Sequence, residues 1–324
     1  MKFSKKLIAA ALLSTALFTF GSTDNTASAA TPSKHLKIKL TVPEVREIAD
    51  ITYSQIINKY GNKSLKMDIL RPISDEPMPA VLFITGGGFI SAKKTNYISQ
   101  RVHIAEAGYV VASIEYRVVP DGTFKDAVHD AKSAVRYLRA HAKEFNIDTN
   151  RIAVMGESAG GYMAAMVGTT NGVKEFDVGD NLNYSSEVQA AIDIYGLSDL
   201  TRVGADFSKA VQESHKSASA SEAIFVNGIP PFGKGGSILS NAESAKAANP
   251  ITYISSKTAP FLLMHGDKDS LVSPSQTEIL HQALSDKGID STRYVVENAN
   301  HADVYWYQPE ILKIIIDFLN DKLK

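Results

Sequence analysis

The chain has 324 residues, of which 44% are hydrophobic, and its formal net charge at pH 7 is −1. That length and apolar content are enough to bury the core of one α/β domain of about 250–300 residues. The near-neutral charge provides no basic surface for nucleic acid, so no nucleic-acid partner is expected. The chain contains no cysteine, which excludes disulfide bonds, a thiolate metal site and a lipid-modified N-terminal cysteine.

The first 29 residues have the pattern of a secretion signal peptide. Three lysines lie within the first six residues, and the apolar stretch Leu7–Phe20 follows them. Ala27-Ser28-Ala29 then supplies the small-x-small motif at which signal peptidases cut, which places the cleavage before Ala30. The apolar stretch is too short for a stable transmembrane helix. We therefore predict a secreted protein that has no stable membrane span after cleavage.

The remaining chain divides into a polar leader or linker at residues 30–47 and one domain at residues 48–324. The leader pattern fits either an edge strand or a plain linker. Apolar runs in the domain predict strands near residues 50–53, 65–70, 79–84, 109–117, 151–154, 189–196, 259–266 and 292–297. The first two strands are expected to pair antiparallel. Most of the later runs are apolar without alternation, as in parallel strands that are buried on both faces.

Helices are predicted between these strands. Apolar residues at helical spacing indicate an amphipathic helix from Phe124 to about Phe145. Further helices are expected near residues 97–107 and 308–323. Ser273 and Gln276 have the spacing of a capping box at the start of another helix. The alternation of strands and helices is typical of βαβ units in a parallel sheet.

Residues 197–259 depart from this alternation because they contain no long strand pattern. Long irregular insertions in compact domains are usually functional. Apolar residues in the segment, among them Phe225, Phe232 and Ile238, need a surface to pack on. We therefore predict that the insertion forms a small, partly helical cap over the active site.

One turn, residues 154–161, is called the serine turn below. Gly156-Glu157-Ser158-Ala159-Gly160 has the pattern G-x-S-x-G between a predicted strand and a predicted helix. In that context the sharp turn strains the backbone of Ser158 and exposes its hydroxyl as a nucleophile. Glycines at 156 and 160 are expected because a side chain there would collide with the tight strand–helix crossing.

A second segment, Thr85-Gly86-Gly87-Gly88-Phe89-Ile90, is called the glycine loop below and follows another buried strand. Three successive glycines allow backbone N–H groups to approach a ligand closely. Acyl transfer needs two or more such donors aimed where a carbonyl oxygen becomes negative. The glycine loop is therefore predicted to be an oxyanion loop.

The order of nucleophile, acid and base is Ser158, an aspartate in the turn at residues 267–269, and His301. Each follows a predicted strand, and the carboxyl ends of parallel strands share one edge of a sheet. A serine hydroxyl needs an imidazole to take its proton, and a buried carboxylate holds that imidazole in the right tautomer. The residues themselves leave Asp267 and Asp269 as alternative acids.

With these motifs the chain resembles the α/β-hydrolase esterases of the hormone-sensitive-lipase and carboxylesterase type, especially the bacterial group of feruloyl and acetyl esterases. The resemblance runs from about Tyr53 to the C-terminus. The resemblance rests on the motifs Gly86-Gly87-Gly88-Phe89, Glu115-Tyr116-Arg117, the helix from Phe124, Gly156-Glu157-Ser158-Ala159-Gly160-Gly161, His265-Gly266-Asp267-Lys268-Asp269 and Asn300-His301-Ala302.

The resemblance implies an α/β fold with a mostly parallel eight-stranded sheet, helices on both faces and a small cap insertion. It implies that Ser158 is the nucleophile, His301 the general base and Asp269 the triad acid. The implied oxyanion hole consists of the backbone N–H groups of Gly87, Gly88 and Ala159. No metal ion or organic cofactor is implied.

Several further residues depart from the family pattern or have a structural interpretation. The family usually places histidine before the three glycines, whereas this chain has Thr85, whose hydroxyl is available to bond the loop. Arg117 is expected to form a structural ion-pair set with Asp126 and Asp130. Glu157 is expected either to tune the site or to anchor the serine turn.

We therefore predict a secreted serine carboxylic-ester hydrolase that forms an acyl-enzyme. The expected substrates are small or polysaccharide-linked esters with short-chain acyl or hydroxycinnamoyl groups. One alternative is a small-amide hydrolase, such as a formamidase or a peptidase-like enzyme, on the same triad. Another is a catalytically silent hydrolase fold that serves in binding. Neither the specificity nor the oligomeric state follows from the sequence.

Overall fold

The computed structural model describes residues 33–58, 61–231 and 233–324. The predicted signal peptide at residues 1–29 therefore lies outside the described residues, and so does Phe232 of the predicted cap. Residues 33–40 contain no helix or strand. Of the described helices, none has both the length and the apolar composition that crossing a bilayer requires.

Residues 41–324 are built on one eight-stranded sheet with the strand order β1-β2-β4-β3-β5-β6-β7-β8. β2 pairs antiparallel with β1 and β4, and all other neighbours in the sheet are parallel. The predicted mostly parallel sheet is confirmed. The strands are β1 (Val45–Asn58), β2 (Gly61–Pro72), β3 (Met78–Ile84), β4 (Val110–Ile114), β5 (Ile147–Glu157), β6 (Ala190–Ile194), β7 (Phe261–Gly266) and β8 (Ser291–Val296).

Helices follow most of the parallel strands. Short 3₁₀ segments occupy Lys174–Phe176, Ile238–Ser240, Pro250–Tyr253 and Val304–Tyr307. The α-helices of the described residues are α1 (Ile98–Glu106), α2 (Phe124–Ala140), α3 (Ala142–Phe145), α4 (Ala159–Thr169), α5 (Lys209–His215), α6 (Ser221–Asn227), α7 (Ala242–Ala247), α8 (Ser275–Asp286) and α9 (Pro309–Leu323).

Two apolar cores lie on opposite faces of the sheet because successive strand residues point to opposite sides. Leu82 and Ile84 of β3 belong to the core that packs against α2, α4 and α8. Val81 and Phe83 belong to the other core, which packs against α1 and α9. The prediction of helices on both faces is therefore confirmed, and the serine turn is held between two packed layers.

Two sequence-based boundaries differ from the structure. β1 begins at Val45, opposite Pro72 of β2, which is earlier than the strand predicted near residues 50–53 and lies in the segment where an edge strand or a linker was expected. β1 is an edge strand, so its polar residues can face solvent and give no apolar run. The helix predicted from Phe124 to about Phe145 is interrupted at His141, where φ is −106° and ψ is 22°.

The predicted capping box at α8 is wrong. Ser273 Oγ accepts the amide of Asp206 rather than an amide of the helix. The side-chain oxygen of Gln276 accepts the amides of Ser198 and Asp199. Both side chains are used to hold the segment after β6, because tertiary hydrogen bonds compete with local capping.

The insertion at residues 197–259 contains α5, α6 and α7 and packs on the glycine loop. Phe225 of α6 stacks on Phe89, with ring centroids 4.2 Å apart. Tyr162 of α4 meets both rings edge-on, and its hydroxyl donates to the carbonyl of Ala248 at 2.7 Å. The insertion is thus partly helical, and part of it contacts the segment predicted to bind the oxyanion.

Candidate active site

The serine turn joins the end of β5 to the start of α4. Ser158 has φ 56° and ψ −123°, a strained conformation for a residue that carries a side chain. A Cβ atom on Gly156 would lie 2.1 Å from the carbonyl oxygen of Gly160, and one on Gly160 would lie 2.0 Å from that of Ile84. Only glycine fits at both positions, so the predicted tight strand–helix crossing is confirmed.

His301 lies beside Ser158 although 143 residues separate them. His301 Nε2 is 2.8 Å from Ser158 Oγ, and His301 Nδ1 is 2.8 Å from Asp269 Oδ2. Because an ionised carboxylate only accepts, Nδ1 carries the ring hydrogen and Nε2 accepts the hydrogen of the serine hydroxyl. The three side chains form one continuous hydrogen-bonded chain, called the relay below.

Asp267, the alternative acid, is not part of the relay. Its Oδ1 accepts the amide of Asn298 at 2.6 Å, and its Oδ2 is 3.3 Å from the ammonium group of Lys268. Asp267 therefore ties the turn after β7 to the loop that precedes His301. This geometry makes Asp269 the carboxylate partner of the imidazole.

Asp269 is buried and receives four hydrogen bonds. Its Oδ1 accepts the amides of Leu271 and Val272, both at 2.9 Å. Its Oδ2 accepts from His301 and, at 3.1 Å, from Nε2 of His265. Burial by itself would raise the pKa of Asp269, but the hydrogen bonds from the two histidines hold that pKa well below its ordinary value. Asp269 is therefore ionised at neutral pH.

The glycine loop lies directly against the serine turn. A Cβ atom on Gly86 would lie 3.1 Å from Cβ of Ser158. Gly87 has φ 153° and Gly88 has φ 59°, conformations that favour glycine. Ala159 is the first residue of α4, where backbone N–H groups have no acceptor within the helix. The residues predicted to form the oxyanion hole thus belong to two segments that contact each other beside Ser158.

Thr85 does not hold the glycine loop through its hydroxyl. Thr85 Oγ1 is buried and has no hydrogen-bond partner among the described residues. Instead, the hydroxyl of Tyr116 donates to the carbonyl oxygen of Thr85 at 3.0 Å. Tyr116, which follows β4, therefore supports the glycine loop through the backbone of Thr85, the position at which the family usually has a histidine.

Glu157, which precedes the serine, lies in a buried aromatic cluster. The hydroxyl of Tyr195 donates to Glu157 Oε2, whereas Oε1 has no partner among the described residues. Burial raises the pKa of Glu157 to about 7, against the lowering effects of the neighbouring Tyr195 hydroxyl and Gln100 side chain. The Tyr195 ring also lies 4.8 Å from the ring of His301, measured between centroids. Glu157 thus anchors a residue that packs against the imidazole.

Two residues that contact the relay were assigned no role from the sequence. His265 lies at the end of β7, within the motif that carries Asp269, and Tyr195 follows β6. Tyr195 has the rare φ of 43° for a residue with a side chain. The available signal was their position, since both lie at the carboxyl ends of parallel strands, where sites are built.

Arg117 and Trp306 have structural roles. Arg117 pairs with Asp126 and Asp130, each at 2.7 Å, as expected for an ion-pair set. Trp306 is fully buried, and its indole N–H donates to the carbonyl of Asn300 at 2.8 Å. Within the described residues, no group of three or more His, Cys, Asp or Glu side chains is arranged to hold a metal ion.

The family profile of BD-FAE matches residues 67–284, more than half of the chain. The chain belongs to the BD-FAE family. The match begins in β2 and ends in α8, so it includes the glycine loop, Ser158 and Asp269. His301 lies beyond the matched residues.

Curated relatives of this BD-FAE chain are named as esterases. "Probable isoprenylcysteine alpha-carbonyl methylesterase ICMEL1" of Arabidopsis thaliana is 28% identical over 260 residues, which cover 77% of this chain and 51% of the relative. Esterase LipQ of Mycobacterium tuberculosis is 26% identical over 261 residues, which cover 79% and 57%. The chain thus spans about half the length of these relatives.

Solved structures share the fold. A truncated carbohydrate esterase from gut microbiota matches with a TM-score of 0.74 and 23% identity, covering 87% of this chain and 97% of that one. A bifunctional GH43-CE protein of Bacteroides eggerthii matches with a TM-score of 0.72 and 28% identity, covering 86% and 35%. Together with the BD-FAE match, these structures confirm the predicted α/β-hydrolase resemblance.

Proposed function

We propose that this chain is a serine carboxylic-ester hydrolase in which Ser158 is the nucleophile, His301 the general base and Asp269 the triad acid. The observation that carries the proposal is the relay, with its two consecutive contacts of 2.8 Å, on a strained strand–helix turn. The esterase names of the curated relatives support the same reaction class.

In the first half-reaction, Ser158 Oγ attacks the ester carbonyl carbon while His301 Nε2 takes the hydroxyl proton. The carbonyl oxygen becomes negative in the tetrahedral intermediate. When the intermediate collapses, the bond to the alcohol oxygen breaks, and His301 returns the proton to that oxygen. The alcohol leaves, and the acyl group remains on Ser158.

In the second half-reaction, a water molecule attacks the acyl carbon and gives a proton to His301 Nε2. Collapse breaks the bond to Ser158 Oγ, which takes the proton back, and the carboxylic acid leaves. Asp269 stays ionised throughout and stabilises the imidazolium form of His301. The four hydrogen bonds to Asp269 favour this ionised state.

The oxyanion is proposed to bind the backbone N–H groups of Gly87, Gly88 and Ala159. The amide of Ala159 lies at the N-terminus of α4, where the helix dipole favours negative charge. The contact between Gly86 and Ser158 supports a position for the glycine loop on the same side of the ester. Such donors stabilise the transition state more than the neutral carbonyl of the substrate.

We infer that the substrates carry short-chain acyl or hydroxycinnamoyl groups and that the enzyme is exported. Ile90 lies two residues after Gly88 and Tyr305 four residues after His301, and both side chains are exposed. Two proteins that share the fold are a carbohydrate esterase from gut microbiota and a bifunctional GH43-CE protein, which supports an ester on a polysaccharide. The signal-like N-terminus supports export.

The test is hydrolysis of p-nitrophenyl esters from acetate to decanoate, with methyl ferulate and acetylated xylan alongside. Ser158→Ala is expected to lower kcat by at least about three orders of magnitude. Ser285→Ala, on an exposed residue of α8, is the matched serine control and is expected to keep wild-type activity. An inert wild type, or a Ser158→Ala variant that keeps its activity, contradicts the proposal.

A further inference from the structure

A second histidine contacts the carboxylate that faces His301. His265 is the next-to-last residue of β7, and its side chain is fully buried. Its Nε2 lies 3.1 Å from Asp269 Oδ2, the same oxygen that accepts from His301 Nδ1. No step of the proposed reaction uses His265, so the contact needs a separate explanation.

The neighbours of His265 determine which ring nitrogen carries the hydrogen. Nε2 faces two acceptors, Asp269 Oδ2 and the carbonyl oxygen of Val272, both at 3.1 Å. Nδ1 lies 3.2 Å from Thr277 Oγ1, and that oxygen already accepts from Nε of Arg293 at 3.1 Å. The Thr277 hydroxyl is therefore free to donate to Nδ1. A neutral ring with acceptors at Nε2 and a donor at Nδ1 carries its hydrogen on Nε2.

A competing acceptor for the Thr277 hydroxyl is less favourable. The carbonyl oxygen of Pro274 lies 3.4 Å from Thr277 Oγ1, which is farther than His265 Nδ1. That carbonyl also accepts from a terminal nitrogen of Arg293 at 3.0 Å. The arginine thus satisfies the carbonyl and supplies a donor to the threonine, which directs the hydroxyl hydrogen toward His265.

The two oxygens of Asp269 are held differently. Oδ1 is held by backbone amides, whereas Oδ2 is held by two side chains, one on strand β7 and the other on the loop after β8. The His265 side chain has no solvent exposure, whereas that of His301 is 10% exposed and must change protonation during catalysis. The fixed partner of Oδ2 is therefore His265.

We propose that His265 is a positioning residue that holds Asp269 Oδ2 against His301, with Thr277 and Arg293 setting its tautomer. With the ring hydrogen on Nε2, His265 donates to Asp269 Oδ2, and its Nδ1 accepts from the Thr277 hydroxyl. This inference rests on the proposed function of the relay. It assigns a role to the first residue of the His265-Gly266-Asp267-Lys268-Asp269 motif.

The test compares His265→Gln with His265→Asn. A glutamine amide nitrogen can take the place of Nε2 and donate to both Asp269 Oδ2 and the carbonyl of Val272. Asparagine is one methylene shorter, so its amide ends near the position of Nδ1. With p-nitrophenyl acetate, His265→Asn is expected to lower kcat about 10- to 100-fold, the effect of one hydrogen bond to a charged group, with KM little changed. His265→Gln is expected to stay within about threefold of wild type.

The kcat of each His265 variant is compared with that of Ser158→Ala, and the thermal midpoint of each variant is measured to check that it folds. Activity that survives in Ser158→Ala overturns the proposed function itself. An inactive Ser158→Ala together with an undiminished kcat in His265→Asn overturns only the role of His265. Equal losses of kcat in the Asn and Gln variants also overturn it, because a purely structural role gives no rescue by glutamine.

Thr277→Val gives a second test if His265→Asn does not fold. Valine keeps the shape of threonine but removes the hydroxyl that donates to His265 Nδ1 and accepts from Arg293. We expect kcat to fall about three- to tenfold at unchanged KM, as for the loss of one neutral hydrogen bond. A Thr277→Val enzyme with the kcat of wild type would overturn the assignment of the tautomer.

Discussion

Asp269 and Glu157 are both buried carboxyl groups at the active site, the first in the turn after β7 and the second within the serine turn, yet their surroundings shift the two pKa values in opposite directions. Asp269 receives four hydrogen bonds, and its pKa lies well below the ordinary value. Glu157 receives a hydrogen bond from Tyr195 on one oxygen, the other oxygen has no partner among the described residues, and burial raises its pKa to about 7. Donors near the carboxylate, and not burial alone, decide its charge.

Asp193 of β6 supports the same comparison. Its Oδ1 accepts the amide of Gly196 at 2.8 Å, and Oδ2 has no partner within the described residues. Burial raises the pKa of Asp193 to about 7, as it does for Glu157. The carboxyl group that carries charge for catalysis is therefore the one with a full set of donors, whereas the others serve as anchors.

The comparison predicts the largest effect at Asp269. Asp269→Asn should lower kcat by about 10⁴-fold, because an amide neither holds the His301 tautomer nor stabilises the imidazolium. Asp267→Asn is the matched control and should keep activity within a few-fold, since within the described part of the chain the Asp267 carboxylate contacts Asn298 and Lys268 and not His301. Steady-state kinetics on p-nitrophenyl acetate measures both. The reverse ranking of the two variants would transfer the acid role to Asp267.

The raised pKa of Glu157 predicts that the free energy of unfolding depends on pH. Because its folded pKa lies above the unfolded value, the stability it contributes is present below about pH 4.5 and is lost as pH rises through about 7. Glu157→Gln cannot titrate, so wild type should lose about 2–3 kcal/mol of unfolding free energy relative to this variant between pH 5 and pH 8. Urea unfolding at several pH values measures the difference.

The matched control for this experiment is Glu106→Gln, on an exposed residue at the end of α1. Its unfolding free energy should run parallel to that of wild type across the same pH range. If the Glu157→Gln curve also runs parallel to wild type, the carboxyl group is ionised in the folded protein, and the contrast with Asp269 is lost.

We expect the smallest effect from Tyr195→Phe, a substitution that separates anchoring from catalysis. The change removes the donor to Glu157 but keeps the ring against His301. We expect the unfolding free energy to fall by about 1 kcal/mol, as for one hydrogen bond, while kcat stays within about threefold. Chemical denaturation and kinetics on the same preparation test both parts. A large loss of kcat at unchanged stability would instead give the Tyr195 hydroxyl a role in the reaction.

Much of the fold was predictable because its signals are local. Continuous apolar runs identified the parallel strands, and the strained G-x-S-x-G turn identified Ser158. The carboxyl ends of parallel strands meet at one edge, which explains why Ser158 and His301 were expected together before any distance was known. The capping box at Ser273 was mispredicted because tertiary partners replaced the local pattern. The polar sequence around Val45 fitted either an edge strand or a linker, and the pairing with β2 made it a strand.

The sequence by itself determined the sheet, the serine turn, the glycine loop and the order of the residues in the relay. Only the tertiary structure decided which aspartate faces His301, how four donors are shared between the two oxygens of Asp269, and why the pKa values of Glu157 and Asp269 shift in opposite directions. Those features depend on contacts between segments far apart in the chain, such as His265 with Asp269 and Tyr195 with Glu157. Electrostatic interactions vary with distance and burial, which become defined only when the strands and loops pack.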